Sequence, residues 1–437
     1  MIVTYRRFRR TYLRRILYVL FFFFLVDALH LINSRPDTQR STLKPRAAVH
    51  QSPNNSVFIV SVHRNTEKIQ REAWNEAVLG LVDYLGAPNV HFSAVESGSQ
   101  EGTKDALMEL KEGLDARGVT NDISLGMTVW EQLDEIDARP DPTGPREPGW
   151  IWNAPEDQFE LRRIPYLSRV RNQAMAPLKQ LEEQGRRFDK VLWLNDVVFD
   201  VSIGFAPACE QNLWLIIYQT QDIVTLFETR DGDYAAVCSM DFKAPPLYYD
   251  TFALRDDMGL KTGSLYWPWF QSPISKEAAS RNEPIPVTSC WNGIVVFDSA
   301  PYYANPPLQF RGIDDSLADL HLEGSECCLI HADNYLSSQK GVWLNPNVRV
   351  GYNVKAYNKI KKAYFPSAFW TVVGAWANRI VSWRIGIQTN LETRVVRKRL
   401  EQWAADTPKG QPQRYEPGEA CLINEMQIMW SNGWKHL

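Results

Sequence analysis

The 437-residue sequence contains no GxGxxG loop, no GxxxxGK[ST] phosphate loop, no HExxH pair and no GxSxG elbow. Their absence argues against dinucleotide oxidoreductases, P-loop NTPases, zincins and α/β-hydrolases. Six cysteines are too few for a disulfide scaffold. A single long apolar run excludes a multi-span membrane protein. An excess of one charge is also lacking. The chain has 48 Lys+Arg against 51 Asp+Glu and is 44% hydrophobic, so it is not disordered overall. With 24 Gly and 26 Pro, ordinary for the length, it is neither collagenous nor low-complexity. The length fits about two or three ordinary domains, or one large α/β unit with additions.

The near-neutral balance hides an asymmetry. Residues 1–46 hold ten basic and two acidic residues, and the remainder holds 38 basic against 49 acidic. An acidic body is not that of a nucleic-acid binder. Six arginines precede an uncharged run at 16–26, ILYVLFFFFLV. A helix over 12–32 is long enough to span a thin bilayer, with Asp27 and His30 as interruptions. Arginines before the run place the N-terminus in the cytosol and the body in a lumen. A cleaved signal peptide is the competing reading, but no small-x-small site closely follows the apolar core. Residues 1–32 are thus read as tail and signal-anchor, and the Ser/Pro/Arg/Gln/Asn-rich 33–55 as a stem. Asn54 begins the one N-x-[ST] sequon, a glycan acceptor in a lumenal protein.

From residue 56 the pattern alternates. Short apolar runs at 57–62, 90–95, 190–194, 234–239, 293–297, 327–330 and 342–352 read as strands. Runs with helical spacing at 67–84, 103–117 and 165–184 lie between them. The expectation is an α/β fold with a largely parallel sheet. Ligands in such folds bind beyond the carboxyl ends of strands. Those places hold His63-Arg64-Asn65, Glu96-Ser97-Gly98-Ser99, Asn195-Asp196, Met240-Asp241-Phe242, Asp298 and His331-Ala332-Asp333. The recurrence of carboxylates there points to a polar, metal-assisted site, since a divalent ion bridging a diphosphate needs one or two carboxylates.

The stretch 190–199, KVLWLNDVVF, is a buried strand ending in an acidic turn. It resembles the Asp-x-Asp element of GT-A glycosyltransferases, with one carboxylate instead of two. Five further blocks extend the resemblance: 166–178 YLSRVRNQAMAPL, 232–242 GDYAAVCSMDF, 248–256 YYDTFALRD, 286–298 PVTSCWNGIVVFD and 310–334 FRGIDDSLADLHLEGSECCLIHADN. Together they resemble the fungal capsule-associated and cryptococcal α-1,3-mannosyltransferase family, glycosyltransferase family 69, over residues 56–353. The resemblance implies a GT-A-like nucleotide-sugar transferase fold, here with a single N-terminal transmembrane anchor. It also implies GDP-mannose as donor, a divalent metal such as Mn2+, a glycan acceptor and a Golgi type II membrane location. The expected activity is retaining α-1,3 mannosyl transfer in fungal capsule, cell-wall or glycoconjugate synthesis. A GT-A transferase with another donor sugar, or a non-catalytic lumenal accessory subunit, are the alternatives.

On this resemblance Asp196 and His331 are the expected metal ligands. His63, Arg64, Glu96, Arg169, Asn172 and Asn195 are expected around the donor. Arg171 is weighed beside Arg169, because either guanidinium can clamp a diphosphate. Glu326 and Asp241 are the expected catalytic carboxylates, stabilising an oxocarbenium-like centre. Trp291 and Asn292 are expected at the acceptor. Residues 354–437 read as a C-terminal helical extension, Trp-rich at 366–387, with Arg379 and Arg384 arguing against a second span. One stretch breaks the family pattern. Deleting 201–219 restores it, Val-Ser can be encoded by a GTRAGY donor site and Gln219 by a CAG acceptor, so the segment reads as a retained intron.

Overall fold

The computed structural model describes residues 2–33, 55–144, 146–199, 202–207, 214–219, 221–361, 365–431 and 433–437. Asn54, Cys209 and nearly all of the 33–55 stem lie outside the described residues.

Nine strands form one sheet: β1 (Val57–His63), β2 (Val90–Glu96), β3 (Thr120–Leu125), β4 (Lys190–Leu194), β5 (Ala236–Phe242), β6 (Arg255–Asp256), β7 (Ile285–Ser289), β8 (Ile294–Asp298) and β9 (Val342–Gly351). Their order is β6-β7-β9-β5-β8-β4-β1-β2-β3. Strands β4, β1, β2 and β3 are parallel neighbours. Strand β8 runs antiparallel between β4 and β5, and β9 is parallel to β5. The helices that matter below are α1 (Ile2–Asn33), α2 (Asn75–Leu85), α3 (Thr103–Asp115), α4 (Arg163–Glu183), α5 (Glu326–Asp333) and α6 (Ala368–Ala405).

Side chains alternate along a strand, so a sheet covered on both faces needs apolar residues at every position. Phe58, Val60, Val191 and Trp193 pack against Tyr166, Val170, Ala174 and Leu178 of α4. Val57, Ile59, Leu192 and Leu194 pack on the other face against α2 and α3 through Val78, Leu81, Leu107 and Leu110. The strands expected at 57–62, 90–95, 190–194, 234–239, 293–297 and 342–352 are all present, with ends within three residues of those expected.

Two expectations are corrected. Residues 327–330 are part of helix α5. All of Glu326 to His331 is buried, and a short run buried all round carries no period to separate helix from strand. Asp298 ends a strand, but β8 is antiparallel, so it sits at the opposite edge of the sheet from Asp196. There it pairs with Lys340 at 2.8 Å.

The chain end returns to the body. Cys421 is bonded to Cys328, and Cys238 to Cys290, leaving Cys327, among the described residues, as a buried thiol. Val396 and Trp403 of α6 pack with Leu422, Met426 and Ile428 on Ile313, Leu317 and Leu329. Beneath this layer Arg162 is fully buried. Its guanidinium donates to Glu323 at 2.8 and 3.2 Å, to Asp315 at 2.6 Å and to Ile313 O at 3.1 Å. The segment read as a retained intron forms a hairpin, Ser202–Pro207 paired with Trp214–Gln219, as a two-stranded sheet separate from the main one.

Removing Arg162 strands the buried Glu323 charge, and breaking such a pair from one side costs about 3–5 kcal/mol. Arg162→Met is therefore expected to lower the urea midpoint strongly, and Arg162→Met/Glu323→Leu to recover much of it. For the hairpin, sequenced complementary DNA is expected to join the codons of Asp200 and Thr220 directly; abundant transcripts that keep 201–219 would show the segment to be coding.

Candidate functional site

The antiparallel course of β8 brings its start, not its end, to the carboxyl edge of β4 and β5. The turn after β4 is held there by backbone. Asn195 N–H donates to Gly293 O at 2.9 Å, and Val198 N–H to Gly351 O at 2.7 Å. Gly293 has φ +81°, and a Cβ on it would lie 2.4 Å from Val350, so only glycine lets these segments approach. Asp196 is half-buried at the tip. Burial pushes its carboxyl up to about 6, against the lowering pull of its own backbone N–H and of Lys243. Lys243, the first residue beyond β5, is exposed, with Nζ 5.2 Å from the Tyr249 ring centroid.

Asp241, on β5, is fully buried. Its Oδ1 accepts from Asn292 Nδ2 at 3.2 Å and from Asp250 N–H at 3.2 Å, and its Oδ2 from the Tyr352 hydroxyl at 2.9 Å. Asn292 Nδ2 also donates to Asp250 O at 2.9 Å. Burial and the neighbouring Asp250 carboxylate push Asp241 up to about 7, against these three donors. Burial raises Asp250 as well. Asp241 and Asp250 repel one another as carboxylates, so ionisation of both at once is disfavoured.

A third group completes the edge. Arg171 on α4 donates through Nε to Glu326 Oε1 at 3.1 Å. Its guanidinium carbon lies 4.7 Å from the Trp291 ring centroid and 5.5 Å from that of Trp193. Glu326 is buried as the first residue of α5, where free helix N–H groups favour a carboxylate.

The residues expected from the sequence divide clearly. Asp196, Asn195, Asp241, Asn292 and Glu326 belong to the three groups just described. Trp291 and Asn292 were expected to face an acceptor, but both are buried: Trp291 supports Arg171, and Asn292 ties Asp241 to Asp250. His63 is buried at the end of β1, with Nε2 2.8 Å from Ser61 Oγ and Nδ1 3.1 Å from Thr66 Oγ1. Burial drives its imidazole down to about 3, so it is neutral. Arg64 beside it is half-buried and already engaged within the fold. Glu96 closes its own turn, accepting from Ser99 N–H at 2.8 Å and pairing with Lys104 at 3.4 Å. Arg169 turns outward to Glu135. Asn172 is spent on Phe310, bonding its N–H at 2.9 Å and its carbonyl at 2.8 Å.

His331 is not placed after a strand. It lies on α5, donates through Nε2 to Cys290 O at 2.8 Å and stacks on Phe297 with centroids 5.2 Å apart. Burial takes it down to about 4. Among the described residues no group of three His, Cys, Asp or Glu is arranged to hold a metal. A protein-only cage is therefore not present, whereas a lone half-buried carboxylate beside an open edge fits an ion held chiefly by phosphate oxygens and water.

Sequence reasoning missed Asp250, Tyr352 and Lys243, and took Arg169 for the donor site where the structure turns Arg171 inward. A signal existed for the last. Arg171 continues the spacing of the buried Ile164, Ser168 and Leu178 on α4, while Arg169 lies about 200° from it around the helix. Asp250 follows no strand, and no pattern marks it.

Among known proteins, the α-1,3-mannosyltransferase CMT1 of Cryptococcus neoformans var. neoformans serotype D is 26% identical over 343 residues. The match covers 75% of this chain and 63% of that relative, so the chain spans less than two thirds of the relative's length. Among solved structures, the mannosyltransferase PcManGT of Pyrobaculum calidifontis, in complex with GDP-Man and Mn2+, matches with 11% identity and a TM-score of 0.34, covering 85% of this chain and 81% of that one. S. aureus TarS matches with 10% identity and a TM-score of 0.36, covering 81% of this chain and 40% of that one. The family model described as Cryptococcal mannosyltransferase 1 matches residues 56–203 and 210–333, and its one break falls inside the 202–219 hairpin. More than half of the sequence is thus matched, and the chain belongs to the Cryptococcal mannosyltransferase 1 family.

Proposed function

We propose that the protein is a membrane-anchored, retaining α-mannosyltransferase that moves mannose from GDP-mannose to a glycan acceptor in an α-1,3 linkage. The observation that carries this reading is the meeting, at one sheet edge of a chain of this family, of the Asp196 turn with the hydrogen-bonded Asp241–Asp250–Asn292–Tyr352 cluster. Asp196 is the residue that would hold a divalent ion such as Mn2+, which when bound offsets the charge of the departing diphosphate. Lys243 places a fixed positive charge on the same side of the turn. Asn195 stands next to it to meet the donor. Arg171 orients Glu326 from below. Glu326 and, in its ionised form, Asp241 bear on the positive charge that develops at the anomeric carbon. Retention needs no separate base if the leaving diphosphate takes the acceptor's proton.

The location follows the same logic. Helix α1 is long and apolar enough over Tyr12–Asn33 to cross a membrane. Arginines before it favour a cytosolic N-terminus and a lumenal body, hence a single-pass type II protein of the Golgi membrane. The Cys238–Cys290 and Cys328–Cys421 bonds suit an oxidising lumen. Fungal capsule, cell-wall polysaccharide or glycoconjugate synthesis is the setting this implies.

Calorimetry on the full chain in detergent is expected to show GDP-mannose binding that requires Mn2+ and weakens at least about tenfold in Asp196→Ala. If neither GDP-mannose nor other nucleotide sugars bind, the accessory-subunit reading replaces this one. Glu326→Gln is expected to lower kcat about 10²–10³-fold while leaving donor affinity nearly unchanged. Asp241 holds its proton more tightly folded than unfolded, so its contribution is fully present below the unfolded carboxyl's pKa and is lost as pH rises toward about 7. Asp241→Asn removes that slope. Its melting temperature relative to the natural protein is expected to be higher at about pH 8 than at about pH 5, with transfer activity lost at both.

A further inference from the structure

Helix α6 carries two faces in its first half. Thr371, Gly374, Ala375 and Asn378 are buried, a spacing of three and four that makes one stripe. This stripe seats on the segment around Ser264–Trp267: Asn378 Nδ2 donates to Ser264 Oγ at 3.2 Å, and a Cβ on Gly374 would lie 3.3 Å from Trp267 O. Phe369, Ile380, Trp383 and Ile387 are 67%, 68%, 74% and 45% exposed. At 100° per residue these four and Trp376 fall within a sector of about 60°, on the side away from the body. An apolar stripe with this much aromatic surface in water calls for a partner.

The neighbour of that stripe is α1. The Phe24 ring lies 5.6 Å from that of Trp376. Three residues further along both helices, Asp27 accepts from Arg379 at 2.7 and 3.0 Å. Asp27 is the one acidic or basic (Asp, Glu, Lys, Arg) residue of α1 after Arg15, and it sits about 9 Å from the helix's lumenal end, inside one leaflet. Charges at such a depth are tolerated when paired. The exposed stripe is continuous with α1 through Trp376, so it shares the medium that surrounds α1. Arg379 and Arg384 flank the stripe, which is the Trp-plus-Arg make-up of helices that lie in a membrane interface.

We propose that α6 from Phe369 to Ile387 lies in the lumenal leaflet against α1, tied to it by Asp27–Arg379, so that a lipid bilayer covers the stripe and the body is seated on the membrane instead of hanging from the stem. This rests on the membrane-anchor reading of α1.

The test uses the full chain carrying Cys209→Ser, reconstituted in phosphatidylcholine vesicles. An environment-sensitive NBD label is placed at Ile380→Cys or, for reference, at Met108→Cys on α3, which packs on β3 at the far end of the sheet. The label at 380 is expected to shift to the blue on reconstitution and to be quenched several-fold more by nitroxide-labelled phosphatidylcholine than the label at 108. Arg379→Glu is expected to reduce that quenching, and Asp27→Arg/Arg379→Asp to restore it; unchanged quenching in Arg379→Glu would overturn the tie. Alkaline extraction separates the two readings. A chain that washes off the vesicles overturns the anchor and this inference with it. A chain that stays, with the label at 380 quenched no more than that at 108, overturns the inference alone. A label at 380 shielded already in detergent and untouched by nitroxide lipid means that a second copy covers the stripe, and overturns it too.

Discussion

The whole site depends on β8 running against its two neighbours. A parallel strand between β4 and β5 would bring its carboxyl end to the working edge. An antiparallel one brings its entry turn instead, and that turn is Trp291-Asn292-Gly293. Gly293 lets the turn touch the segment after β4, Asn292 bridges Asp241 and Asp250, and Trp291 carries Arg171. The bond between Cys238 and Cys290 fastens this turn to β5 from behind. Four segments far apart in sequence therefore share one small volume because of one strand's direction.

The electrostatics follow from the packing. The carboxyls of Asp241, fully buried, and Asp250, half-buried, are drawn into the fold together; hydrogen-bond donors compensate Asp241, and backbone N–H groups and the charge of Arg255 compensate Asp250. Asp196 is half-buried, with Lys243 close enough to pull its carboxyl down against burial. One edge thus holds a half-buried acidic turn beside a lysine together with the fully buried Asp241. Arg171 and Glu326 pair with one another away from solvent, which offsets the cost of burying both. Such an arrangement suits a reaction in which negative charge leaves on one side while positive charge grows on the other.

Several residues that look functional in the sequence are structural for a common reason. His63, Glu96 and Asn172 sit at the ends of strands or on a helix, as binding residues do, yet each is engaged by its own neighbourhood: His63 and Asn172 through hydrogen bonds at both polar atoms, Glu96 through its turn and the ion pair to Lys104. A polar side chain at the edge of a buried sheet must find a partner somewhere, and a partner in the fold and a partner in a ligand leave the same mark on the sequence.

The sequence by itself determined the α/β class, because short β-rich runs such as β1, β2 and β4 alternate with longer runs of helical spacing, the pattern of a sheet covered by helices. It also determined the acidic turn at Asp196 and the apolar first helix, since both are written in contiguous residues. Tertiary structure alone decided strand direction, and with it the separation of Asp298 from the site and the recruitment of Tyr352. It decided that 327–330 is helical and that His331 faces Phe297. It also decided which of two arginines two residues apart turns inward. These outcomes depend on which segments meet across the sheet, and contacts between distant residues leave no period in a single chain to read.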